Sequence, residues 1–104
     1  MDRELIAAKL DEAGRIIERG WLQGTYVGED GCRCALGAIE AVNQDDPWVL
    51  HPELTKPLAK VVGLDPSDGY QIAEWNDTPG RTQADVIDAF KRAAAGVRDG
   101  SIAI

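Results

Sequence analysis

Nothing in this 104-residue chain offers the unbroken apolar run of about 18–20 residues that a bilayer-spanning helix needs. Its first residues, MDRELIAAKL, are charged and amphipathic and lack the apolar middle of a secretion signal. Cysteine is scarce too: Cys32 and Cys34 are too few and too close for a secreted disulfide framework. These absences predict a cytoplasmic protein that does not enter a membrane. Positive charge is also short. Against 18 Asp and Glu stand 11 Lys and Arg, a net charge of -7, which argues against a nucleic-acid partner because each neutralised phosphate needs a cation. The carboxylates are scattered along the chain, so the acidity reads as a solubilising surface. The single histidine, His51, and the two cysteines give a metal centre three ligands at most, in a spacing unlike any zinc finger. No metal or cofactor is expected.

What the chain does contain is 44% hydrophobic residues, enough to offset chain entropy in one globular domain covering 1–104. They recur mostly at helical spacing. Over 2–19 the stripe is Ile6, Leu10, Ala13 and Ile17, widened by Leu5 and Ile16, with Asp2 placed to cap it. Gly14 inside that helix costs about 1 kcal/mol relative to alanine, which predicts a close neighbour there. Gly20 is expected to end the helix in the left-handed conformation. Cys34 to Asn43 is apolar except for Glu40 and reads as a central, covered helix, with Gly37 marking another close approach.

The connecting stretches read less regularly. Trp21 to Arg33 is a loop with Gly24, Gly28 and Gly31, and the alternation around Thr25, Tyr26 and Val27 admits one small β-hairpin near 24–33. In 48–64, Pro57 is expected to divide the chain into an irregular piece at 52–56 and a helix at 57–62 stopped by Gly63. Asp65-Pro66-Ser67-Asp68 reads as the start of a helix running to about Trp75. Pro79-Gly80 suits a type II turn, and Thr82 with Asp85 forms a weakened capping box for a last helix over 83–98. Its stripe is Val86, Phe90, Ala93 and Val97, and Gly100 is its stop. The apolar tail 101–104 either folds back or meets a partner. The fold class is mainly α, a compact bundle of four to five short helices.

GWLQG at 20–24, DGCRCALGAI at 30–39 and EWNDTPGRTQADVIDAFKRAA at 74–94 resemble a family of small uncharacterised proteins encoded by actinobacteria and their phages. The family pattern is a first helix, a Trp-Cys/Leu-Gln-Gly turn, a Gly-x-x-Cys-x-x-Gly-Ala segment and a Trp-Asn-Asp turn before a final helix. Cys34-Ala35-Leu36-Gly37-Ala38 and Trp75-Asn76-Asp77 are its specific parts. This chain departs from it at Cys32, Pro52 and Pro57. The resemblance spans nearly the whole chain and implies a fold and an origin, but no chemistry.

Two constellations carry potential chemistry. A helix start lowers the pKa of a thiol such as Cys34, and His51 and Asn76 follow in the order some thiol hydrolases use. Those enzymes need a cleft and an oxyanion site, and nothing places His51 near a sulfur, so Cys34 reads as a buried structural residue. A Cys32–Cys34 bridge would strain the backbone. Trp75-Asn76-Asp77 reads as a turn that closes the 21–31 loop, with a small-ligand pocket between Trp21, Trp75 and Asp77 as the alternative. The structural motif is then Trp21, Gly24, Cys34, Gly37, Trp75, Asn76 and Asp77. Trp48, in a polar loop beside Pro47, and Ile102 and Ile104 in the tail are candidate anchors for a host protein or another copy of the chain. The expected function is a non-enzymatic protein-interaction module. The alternative is a thiol-dependent enzyme or small-molecule binder using Cys34 and the Trp-Asn-Asp turn.

Overall fold

The computed structural model describes residues 3–25, 27–28, 30–43 and 51–102. Among these are five helices: α1 Arg3–Arg19, α2 Ala35–Asn43, α3 Pro52–Val62, α4 Gln71–Asn76 and α5 Gln83–Asp99. The class is the mainly helical bundle that the apolar periodicity predicts.

The two long amphipathic helices form the frame. Arg3 at the start of α1 donates from Nη1 to the Val97 carbonyl near the end of α5 (2.8 Å), while Gln83 at the start of α5 donates to the Ile17 carbonyl near the end of α1 (2.7 Å). The helices are therefore antiparallel. Their facing stripes supply the fully buried Ile6, Leu10, Ile17, Val86, Phe90 and Val97. A Cβ on Gly14 would lie 3.3 Å from Phe90 Cβ, so the missing side chain lets α1 approach the aromatic residue closely. Arg98 links the same pair from outside, meeting Glu4 at 3.0 Å and Asp11 at 2.7 Å. Lys9 Nζ donates to Asn43 Oδ1 (2.8 Å) and ties the end of α2 to α1.

Four local features differ from the sequence expectation, each for an identifiable reason. Pro57 does not divide the middle segment, because α3 runs unbroken from Pro52 to Val62. Pro52 occupies the first helical turn, where its missing N–H is not needed. Pro57 then deprives only the Glu53 carbonyl, still in the first turn, where the chain tilts most easily. Asp65 caps a turn rather than a long helix: its Oδ1 accepts from Ser67 N (2.9 Å) and Ser67 Oγ (2.7 Å), and α4 begins only at Gln71. Buried Gly69 lies between them, its backbone pressed so near Thr55 that a Cβ would come within 3.1 Å of the hydroxyl.

Gly20 has no positive φ. A Cβ there would fall 2.7 Å from Cys32 Sγ, so the glycine serves the close approach of the 21–33 loop. The hairpin is reduced to single bridges, antiparallel at Val27–Arg33 and parallel at Trp21–Arg33. Arg33 serves both, and among the described residues these bridges stand alone. At the C-terminal side, Thr82 accepts from Asp85 N while Asp85 accepts from Thr82 N, the full reciprocal cap, and Gly100 ends α5 in the left-handed region.

Candidate functional site

The end of α4 and the glycine-rich loop meet at one buried side chain. Asn76, the last residue of α4, has no exposed surface. Such a burial is costly unless the amide finds partners. It finds four. Its Oδ1 accepts from the Trp21 indole Nε1 (2.7 Å) and from the Ala35 backbone N–H (3.0 Å). Its Nδ2 donates to the Leu22 carbonyl (3.0 Å) and to Asp77 Oδ1 (3.1 Å). One amide thus holds the loop, the start of α2 and the end of α4 together.

The neighbours extend this latch. Asp77 Oδ1 also accepts from Gly24 N (2.9 Å), where a φ of 88° suits glycine. Gln23 Nε2 donates to the carbonyls of Asn76 (2.9 Å) and Thr78 (3.2 Å). Gln23 lies in the Trp-Leu-Gln-Gly turn, yet sequence reasoning gave its side chain no role. A long amide beside a glycine turn was the only available signal. Arg81 was missed as well. Its Nε donates to the Trp75 carbonyl (3.0 Å), and its Cζ stands 4.4 Å from the centroid of the half-buried Trp75 ring.

Cys34 stands at the N-cap of α2. Its carbonyl accepts from Ala38 N (2.9 Å), and its Sγ accepts from Gly37 N (3.3 Å). Sulfur here does what a serine oxygen usually does. Burial pushes the thiol pKa up, against the opposing pull of the Gly37 and Leu36 N–H groups, with the charges of Asp77 and Glu40 adding to the rise. Desolvation outweighs the helix start. Gly37 is buried within α2, and Arg33 Nη1 donates to its carbonyl (3.3 Å).

A thiol with a raised folded pKa contributes stability in full below its unfolded value, near pH 8.5, and loses it as pH rises further. Stability measured by urea titration should therefore fall more steeply above about pH 9 in the wild type than in Cys34→Ala. Equal slopes would contradict the assigned burial.

The remaining predicted residues are not brought to this latch. The His51 Nδ1 lies 3.6 Å from Glu53 Oε1 at the start of α3. No group of three or more potential ligands from His, Cys, Asp and Glu comes together among the described residues. Ile102, a candidate partner anchor, is half-buried: its N–H donates to the Gly96 carbonyl (3.0 Å), and its side chain fills the space above Gly96, within 2.5 Å of where a Cβ would sit. The absent Gly96 side chain is the reason this contact is possible. Trp48 and Ile104 lie outside the described residues.

These contacts define a small helical domain in which a cysteine-capped helix is locked to a Trp-Asn-Asp turn. The chain belongs to a family of unknown function, DUF6197, whose family model matches residues 1–96. No curated protein and no solved structure is detectably similar to it.

Proposed function

We propose that the chain is a non-enzymatic protein-interaction module acting in the cytoplasm, encoded by an actinobacterium or one of its phages and directed at a host protein. The observation that carries this reading is the commitment of the chemically capable groups. Cys34 is buried with its sulfur accepting from Gly37, and all four hydrogen-bonding positions of the Asn76 amide are taken. A catalytic thiol has to be ionisable and reachable. What the described surface offers instead is side chains available for contact, among them exposed Leu5, Val27 and Tyr70.

Iodoacetamide labelling separates this reading from a thiol enzyme. In the folded protein near neutral pH, half-exposed Cys32 should react at an ordinary rate, and Cys34 only after denaturation. Rapid labelling of Cys34 would favour the enzyme. The positive arm is crosslinked capture of one host protein from an actinobacterial lysate by the wild type and not by Trp48→Ala; equal recovery by both would count against Trp48 as the anchor.

A further inference from the structure

The antiparallel pair α1 and α5 is fastened by different means at its two ends. One end carries the Asn76 latch, with Gln83 donating to the Ile17 carbonyl beside it. The other is closed by the chain itself, which turns back after α5. Gly100 makes the turn with a φ of 86°, Asp99 Oδ1 accepts from Ser101 N (2.8 Å), and Ile102 N donates to the Gly96 carbonyl (3.0 Å). Arg3, the first residue of α1, joins from the opposite helix. Its Nη1 donates to the carbonyls of Val97 (2.8 Å) and Ile102 (3.4 Å), so one guanidinium holds the last turn of α5 and the returning segment together.

Gly96 is the seat of that segment. Glycine within a helix lowers the helical equilibrium about fivefold relative to alanine, and no positive φ calls for it at this position. A Cβ there would stand 2.5 Å from Ile102 Cδ1, 2.7 Å from Ile102 Cγ1 and 3.2 Å from Ser101 Oγ. Because Cγ1 is bonded directly to the Ile102 Cβ, a swing of the outer methyl alone does not clear the space. An added methyl has to lift the segment. The hold is nevertheless limited to a few hydrogen bonds and one half-buried side chain packed on the core, local contacts of the kind that open before the whole domain does. The pairs of Arg98 with Glu4 and Asp11 also span this end, but at the surface, where such pairs add little.

We propose that residues 100–102 are a releasable strap: seated over Gly96 they hold the end of α5 against the start of α1, and when they lift, those two helix ends open together while the Asn76 end stays shut. Arg3 makes the coupling. Lifting the strap orphans the Gly96 carbonyl and loosens the last turn of α5, and with that turn Arg3 loses both of its acceptors.

Hydrogen exchange of the whole chain, read by NMR, tests the coupling. The amides of Ala7 and Ala8, whose helical acceptors lie in the first turn of α1, should share one level of protection with those of Arg98, Asp99 and Ile102, below that of the Phe90 region. Ile102→Ala should speed exchange at Ala7, Ala8, Arg98 and Asp99 by about tenfold and leave the Ala35 N–H and the Trp21 indole N–H unchanged. Thermal melts test the seat by a sign. Alanine is the better helix former, so in an Ile102→Ala background Gly96→Ala should raise Tm by about 4 °C. In the wild type, where the same substitution lifts the strap, Tm should stay level or fall. A Tm raised equally in both backgrounds overturns the proposal, as does exchange at Ala7 and Ala8 that ignores Ile102→Ala. Acceleration of Ala35 and the indole in step with the strap overturns it too, because the two ends would then open as one.

Discussion

Asn76→Ala should lower the unfolding free energy by about 3–4 kcal/mol, since it orphans several buried or half-buried groups at about 1–3 kcal/mol each. For a chain of this size that corresponds to a fall in Tm of roughly 15–20 °C. The Trp21 indole N–H and the Ala35 N–H lose their acceptor, and the Leu22 carbonyl loses its donor. Asn76→Leu separates this effect from a cavity: it restores most of the volume but none of the hydrogen bonds, so it should cost nearly as much. Asn76→Asp keeps an acceptor for Trp21 and Ala35, yet it cannot donate to Leu22 and sets a second carboxylate beside Asp77. Its cost should fall between the wild type and Asn76→Ala. Chemical denaturation of the three variants checks the order, and a loss under about 1 kcal/mol in both Asn76→Ala and Asn76→Leu would mean that the latch carries little stability.

Phe90→Ala should cost a further class of energy, about 3–5 kcal/mol from lost transfer and the cavity left behind. Phe90 is fully buried at the contact between α1 and α5, and Gly14 opposite has no side chain with which to fill the space. Phe90→Leu keeps most of the volume and should cost no more than about 1.5 kcal/mol. The measurement is the urea midpoint at unchanged slope; similar values for the two variants would show that the α1–α5 contact tolerates a void there.

The helical elements with a long apolar stripe were legible because burial and period coincide in them. In α1 and α5 the residues at spacings of three and four are the ones that become buried. Local grammar served less well where a tertiary contact decided the outcome. Pro57 is a helix breaker by rule, but Pro52 sets the start of α3 so that the lost bond falls at its first turn. Asp65-Pro66-Ser67-Asp68 has the residues of a helix start, and the chain uses them for a turn because Gly69 packs on Thr55. At the latch, the Trp-Asn-Asp turn and the glycine loop stood out as unusual stretches. Their pairing joins residues 53–55 positions apart, a separation about which periodicity says nothing. The roles of Gln23 and Arg81 depend on that pairing, and so they emerge only from the structure.

Hydrogen exchange read by NMR reports on whether the Asn76 amide closes the loop over the start of α2. Ala35 N–H is a first-turn helix donor, which without a cap would exchange freely, and the Trp21 indole N–H resonates apart from the backbone signals. Both protons should exchange slowly and in step with the core amides of α5. Exchange of either at the rate of an unprotected loop, with the α5 amides still protected, would contradict it.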